Sequence, residues 1–325
     1  MEEKAMFINT WNRKKHSTCL FSFAMIAGVM MLAVFHQGTF AAEGSQKSFK
    51  SPEEAVKALA EAVKGDDTKE LLAIFGSSGK ELVSSGDKVA DEAGRERFTK
   101  AYEEMNKLVI ENDRKVILHV GNGDWPFPIP VVKKGEYWLF DTMAGREEIL
   151  NRRIGRNELN AIQVCLAYVD AQREYVLKDR DGNKLLEYAQ RFMSRKGEKN
   201  GLYWEAKEGE PQSPLGPLIA KAATEGYSGK RPVGKRNPYH GYYYNILKSQ
   251  GKNAPGGEYD YLVKGKMIGG FALVAYPAEY GNSGIMTFIV NQDGVVCEKD
   301  LGKETEKIAT AMKKFDPDET WKKVE

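Results

Sequence analysis

From Glu147 to about Leu177 the chain has no proline and a single glycine, Gly155. Ile162, Cys165, Leu166 and Val169 recur at helical spacing and mark one apolar stripe. The pattern predicts one helix of roughly 45 Å at 1.5 Å per residue. Arg146, Arg152, Arg153 and Arg156, interleaved with Glu147, Glu148 and Glu158, predict that its first half is polar and exposed. A rod of this length constrains everything else. It starts in one folded unit and forms the spine of the next.

The unit before it opens with strong local signals. Ser51 fits an N-cap, Pro52 the first helical position, and Glu54 the far side of a capping box. Val56, Leu59, Ala60 and Val63 follow at helical spacing, and Gly65 ends the run. Asp67 and Glu70 open a second short helix carrying Leu71, Leu72, Ile74 and Phe75. Residues 76–96 read as loop with a short strand at 81–83, and 96–111 as a third helix with Phe98, Ala101, Tyr102 and Met105 on one face. The period then changes. Residues 115–120, 127–132 and 137–141 read as strands, with a turn at Gly121–Asp124. Pro126, Pro128 and Pro130 cannot donate ladder hydrogen bonds, so their strand starts late or lies on an edge. In order of elements this unit is similar to the nuclear-transport-factor-2-like cone folds.

Beyond the long helix, 185–194 reads as a helix and 218–224 as a shorter one. Strands follow at 240–247, 258–265, 268–276, 284–290 and 294–298, with Asn291–Gly294 as a hairpin connection. A closing helix covers 305–315. The fold class expected is α+β in two lobes. Residues 42–143 form an N-terminal unit of helices and antiparallel sheet, and 144–325 a long helix packed on a second antiparallel sheet.

The first 41 residues read differently. Arg13, Lys14 and Lys15 precede a mostly apolar run from Cys19 to Phe35, and Thr39-Phe40-Ala41 supplies a small-x-small site. This is the grammar of a secretory signal, cut after Ala41 or Ala42. The rival reading is an uncleaved anchor, although the run falls short of the ~20 apolar residues of a membrane span. Cys19 opens the apolar run rather than ending it, which argues against a lipoprotein, and no prepilin cut site precedes it. The expected location is periplasmic or secreted, with membrane contact only through this segment if it is retained.

Export reshapes the charge account. The leader takes four of the 48 basic residues and two of the 46 acidic ones, leaving 44 of each. A nucleic-acid binder carries excess cations to displace condensed counterions, and none remains. Only Cys165 and Cys297 follow the leader, too few for a disulfide framework. In an oxidising compartment a Cys165–Cys297 bridge would add roughly 3–5 kcal/mol. Two buried thiols are the alternative.

The stretches SPLGPLIAKAATEGY, PYHGYYYNILKSQGKNAPGGEYDYLVKGKMIGGFALVAYPAEYGNSGIMTFIVNQDGVVCEKDLG and AMKKFDPDETWKKV resemble domain-of-unknown-function family 2950, a group of exported bacterial proteins. The resemblance runs from about Phe49 to the C-terminus. It implies a periplasmic or secreted protein and transfers no catalytic residue. RNELNAIQVCLAYVDAQREYV and GGFALVAYPAEYGNSGIMTFIVNQDGVV also resemble the helix and sheet of type IV pilin-like head domains. The polymerising N-terminal helix of a pilin has no counterpart here.

Four candidate sites stand out. Asp179, Asp181 and Asn183 alternate as calcium ligands do, and Glu187 follows. Lys184 and Gln190 stand where an EF-hand needs Gly and Glu, and an Asp/Gly turn explains the same residues. Lys230, Arg231, Lys235 and Arg236, followed by Tyr239 and His240, suit an anionic glycan or phosphate group by charge and stacking, against the alternative of a solvated loop. His119 with Asp124 and Asp141 would make a general-base site in a cone-shaped pocket. Trp125, Phe127, Tyr137, Trp138 and Phe140 suit either a ligand pocket or a packed sheet face. No nucleophile elbow, His-Glu-x-x-His or Cys-x-x-Cys occurs, and Gly76–Lys80 lacks the spacing of a phosphate loop.

The function expected is an exported cell-envelope protein that binds or assembles without catalysis and without a cofactor, its partner an envelope protein or an anionic polymer. One alternative is an envelope hydrolase or isomerase working around His119. The other is a calcium-stabilised component of a pilin-like secretion apparatus.

Overall fold

Ser51 accepts a hydrogen bond from Glu54 N (3.2 Å) and the Glu54 carboxylate takes Lys50 N (3.0 Å), so the first helix, α1 (Pro52–Lys64), begins where its capping residues place it. The computed structural model describes residues 46–180, 182–227 and 236–324, and the leader lies outside that range. Asp67 caps α2 (Thr68–Phe75) through Glu70 N. The stretch expected as loop and strand instead holds α3 (Lys80–Val83) and the start of α4 (Lys88–Glu104), whose N-cap is Asp87.

The third helix does not continue to residue 111. Met105 is extended, and β1 (Asn106–Asn112) pairs antiparallel with β2 (Lys115–Val120), Leu108 opposite Leu118 and Ile110 opposite Val116. The β-branched residues Val109 and Ile110 fit this ladder better than a helix end. The prolines shorten the next strand as expected. β3 is only Trp125–Pro126, and β4 (Val131–Lys134) begins after Pro130. With β5 (Tyr137–Phe140) the first sheet runs β1-β2-β4-β5, with β3 also on β2. Its inner face packs Leu118, Val120, Ile129, Val131 and Phe140 against Leu59 of α1 and Ile74 of α2. Phe127 and Phe140 meet edge to face within this cluster and Trp138 packs against it, so these three fill a packed sheet face, whereas Trp125 and Tyr137 are exposed.

α5 (Thr142–Tyr175) is the long helix, starting five residues before the sequence pattern does. Gly145 allows its close crossing with the first unit, since a Cβ there would lie 2.4 Å from Pro128 O. Its first half is less exposed than its charges suggest: Ile154 and Asn157 are buried, and Arg153 donates to Glu81 O (2.6 Å), Leu82 O (2.9 Å) and Asn282 Oδ1 (2.5 Å). The second half lays Ala161, Cys165, Tyr168 and Val169 into the other core.

The predicted helix at 185–194 is absent, and the segment is irregular apart from a bridge between Met193 and Tyr203. The Gln172 side chain grips Ala189 through both its backbone N and O (2.8 Å each), and Tyr203 N bonds to Phe192 O. These tertiary bonds replace the internal bonds of a helix. α6 (Gly216–Thr224) follows. Then come β6 (Tyr242–Leu247), β7 (Ser249–Gln250), β8 (Tyr259–Asp260), β9 (Leu262–Val263), β10 (Lys266–Met267), β11 (Ala272–Pro277), β12 (Met286–Asn291) and β13 (Cys297–Asp300). The closing helix, α7 (Thr305–Ala311), ends four residues early because Lys314–Phe315 (β14) pairs parallel with β7, and Lys322–Lys323 forms β15.

The second sheet is antiparallel throughout, in order β15-β13-β12-β11-β6, with α5 packed across β11 and β12. Tyr168, Tyr242, Tyr261, Tyr276, Phe271 and Phe288 are the fully buried aromatic side chains of the core it shares with α5. The class is therefore mixed α+β, with the long helix between two sheet regions. Cys165 and Cys297 are buried free thiols, so the bridge is not formed. No helix among the described residues is long and apolar enough to cross a membrane.

Candidate functional site

The densest polar constellation gathers side chains from distant parts of the chain. Asp87, 1% exposed, caps α4 through Oδ1 (Ala90 N, 3.2 Å), while its Oδ2 accepts from Tyr227 OH (2.9 Å) and Gly241 N (2.8 Å). His240 N donates to Tyr227 OH (3.2 Å), and His240 Nε2 lies 3.1 Å from Glu225 Oε2 at the C-terminal end of α6. Tyr239 OH reaches the same Glu225 oxygen (3.4 Å). The rings close around this network, with centroids 4.8 Å apart for Tyr227–Tyr239 and 4.2 Å for Tyr239–His240.

The backbone bends sharply to do this. His240 and Gly241 both have positive φ, +50° and +74°. Gly241 has no room for a side chain, since a Cβ would sit 2.5 Å from Asn157 Nδ2. A non-glycine residue held at positive φ stores strain that its surroundings must fix.

Electrostatics follow from the packing. Burial depresses the His240 pKa, with the nearby Lys221 acting the same way, while Glu225 and Asp87 oppose it. Burial raises the Tyr227 hydroxyl, and the Asp87 charge raises it further. Burial and Glu225 likewise raise Tyr239.

Arg236 lies beside this cluster in sequence and is exposed. Its guanidinium bonds to Tyr276 OH and Asn245 Oδ1 and lies over the rings of Tyr243 (5.2 Å) and Tyr276 (5.9 Å). Of the residues singled out in the basic stretch, Arg236 is held by Asn245, Tyr243 and Tyr276, and Tyr239 and His240 by Glu225 and Tyr227. Lys230, Arg231 and Lys235 lie outside the described residues.

The other candidate sites are less complete. His119 Nδ1 is 3.0 Å from Asp124 Oδ1, which also holds Lys107 Nζ at 2.8 Å. The hydrogen bond from Lys107 holds Asp124 below the usual carboxylate range against the opposing effect of desolvation, and His119 adds to the lowering. Asp141 does not join them. It follows β5, which β4 separates from β2. Val116, Leu118 and Val120 alternate with His119 and face the core, so the histidine is on the opposite face and not in an interior pocket. Two open surface clefts lie between α1 and α4, around Lys64, Phe98, Thr99 and Glu103, and none of their lining residues is His119, Asp124 or Asp141.

In the proposed calcium loop Asp179 accepts from the backbone N of Gly182 (2.8 Å), Asn183 (3.2 Å) and Lys184 (2.8 Å). Glu187 binds Lys266 Nζ (2.8 Å) and Asn183 Nδ2 (3.1 Å). The carboxylates that a cation would need are engaged in a turn and an ion pair. Asp181 lies outside the described residues, and among those described no group of three or more His, Cys, Asp or Glu side chains is placed to hold a metal.

Residues 46–324 match the family described as Protein of unknown function (DUF2950). The chain belongs to this family. No curated protein and no solved structure is significantly similar to it. For this DUF2950 member, the expected likeness to type IV pilin heads gains no support from these comparisons. The family description assigns no activity to the cluster around His240.

Three members of that cluster, Asp87, Glu225 and Tyr227, were not singled out from sequence. Asp87 had a local signal, an acidic residue after Gly86 at a helix start. Its partnership with Tyr227, 140 residues away, had none.

Proposed function

We propose that the protein is an exported, non-enzymatic binding module of the bacterial cell envelope, and that the Arg236 face holds an anionic polymer, a glycan or a phosphate-bearing chain. The observation that carries this reading is the setting of Arg236. Its guanidinium is exposed yet already oriented over Tyr243 and Tyr276 and fixed by Tyr276 OH and Asn245. A pre-oriented planar cation loses little side-chain freedom when it meets a carboxylate or phosphate.

The leader in the sequence supports export. The candidate catalytic groups support a non-enzymatic role, because the His119–Asp124 pair is tied to Lys107 on the outer sheet face. Cell fractionation with N-terminal sequencing tests the location, which requires a mature start near Ala42 or Glu43. Co-sedimentation with an insoluble acidic polysaccharide, wild type against Arg236→Ala, tests the binding. A cytosolic protein with an intact leader, or equal sedimentation of both proteins, refutes the reading.

A further inference from the structure

A different corner of the molecule holds polar groups that the fold leaves unpaired. Trp204 is 8% exposed and Ser213 3%. Neither Trp204 Nε1 nor Ser213 Oγ has a hydrogen-bond partner, and the buried Nε of Arg180 has none either. Buried side-chain polar atoms are nearly always paired, so each exception calls for an explanation.

Among the described residues six such atoms are unpaired. Two of them, Arg95 Nε and Glu81 Oε2, sit in ion pairs with Asp66 and Arg146. Of the remaining four, Arg180 Nε and Trp204 Nε1 belong to stacked side chains, and Ser213 Oγ lies on a stretch bonded to the one that carries Trp204. The Arg180 guanidinium carbon lies 5.0 Å from the Trp204 ring centroid and 5.3 Å from that of Tyr175. Lys199 Nζ is 5.7 Å from the same tryptophan ring and 3.3 Å from Glu210 Oε2. Leu215 N donates to Leu202 O (2.9 Å), which lays the stretch carrying Ser213 beside the one carrying Trp204.

All three unpaired groups carry a hydrogen to donate, and the indole N–H and guanidinium N–H can do nothing else. One of the three is itself a cation, Arg180, and a second, Lys199, stands beside them in an ion pair with Glu210. A ligand that fits must bring acceptors and negative charge. We propose that this corner binds a carboxylate, its oxygens accepting from Arg180 Nε–H, Trp204 Nε1–H and the Ser213 hydroxyl. An acidic sugar and a peptide C-terminus carry the same group. The inference does not depend on the Arg236 face, since none of its residues is shared.

Calorimetric titration of the full chain with sodium glucuronate and with N-acetyl-alanyl-alanine tests it, using glucose and the peptide amide as uncharged counterparts. The result expected is saturable binding of at least one acid and of neither counterpart. Binding of glucuronate alone names an acidic sugar as the source, and binding of the peptide alone names a C-terminus. Trp204→Phe keeps an aromatic ring, though a smaller one, and removes the donor. Arg180→Met keeps most of the stem and, on a partly exposed residue, spares the core. Each weakens binding roughly tenfold or more, the size of one lost hydrogen bond to a charged group. A site filled only by water leaves both acids without heat, and that result overturns the proposal. So does binding that neither variant weakens.

Discussion

Asp87 Oδ2 accepts a hydrogen bond from Gly241 N at 2.8 Å, across 154 residues of chain. The same oxygen takes Tyr227 OH, and the other caps α4. One buried carboxylate therefore fastens the start of α4 to the turn that leads into β6. Asp87→Ala removes the cap, worth about 1 kcal/mol, and strands buried donors at about 1–3 kcal/mol. Urea unfolding is expected to show a loss of roughly 2–4 kcal/mol. Asp87→Asn, which keeps one acceptor oxygen, loses less.

His240 makes stability depend on pH. Burial holds its folded pKa below the ordinary value of 6.5. The fold therefore favours the neutral ring, and the unfolded chain takes up the proton first as pH falls. This contribution is whole above about pH 6.5 and is lost as pH falls through the lower folded value. Wild type is expected to lose more unfolding free energy between pH 7.5 and 5.5 than His240→Asn, a residue that tolerates positive φ. Parallel curves for the two proteins would contradict the assignment.

Gly241 and Gly281 share a left-handed backbone but differ in surroundings. Gly281, at φ +80°, has nothing near its would-be Cβ, whereas Gly241 has Asn157 Nδ2 at 2.5 Å. Gly281→Ala is expected to cost the backbone penalty alone, about 1–2 kcal/mol. Gly241→Ala must cost more, because Asn157 is held by Ser283 O at 2.9 Å and cannot withdraw freely. Thermal melts of the two variants give the order directly.

The thiols give a redox prediction. Cys165 and Cys297 are free, and burial pushes the Cys165 pKa up to about 12. Thiol reagents react with the thiolate, so Cys165 is expected to stay unmodified in the native protein and to react on unfolding. The melting temperature is expected to be unchanged by a reductant. A fall of several degrees under reduction would mean that a bridge forms after all.

The sequence signals that proved reliable were local ones. Ser51, Pro52 and Asp67 placed two helix starts, and the proline-free run placed α5, because caps and periodicity act over a few residues. The failures lie where tertiary bonds compete with local preference. The helix pattern at 185–194 gives way to the Gln172 grip on Ala189, and the one through 106–111 to pairing with β2. Arg153 looked solvent-facing among its charged neighbours, yet carbonyls from residues 81 and 82 reach it. Two members of the His240 cluster, Tyr239 and His240, were visible in an aromatic, basic stretch. The cluster's Asp87 and Glu225 anchors were not: the Tyr227 partner of Asp87 is 140 residues away, and no helical or strand spacing links Glu225 to Tyr239, 14 residues on.

The polymer-binding claim rests on Arg236, and the salt dependence of binding tests it most directly. Affinity of the full chain for immobilised polygalacturonate, measured by interferometry from low to physiological salt, is expected to fall with a clear slope as ionic screening grows. Arg236→Ala is expected to bind at least several-fold more weakly with a shallower slope. Binding that is absent in the wild type, or equal in affinity and slope for both proteins, would contradict the account.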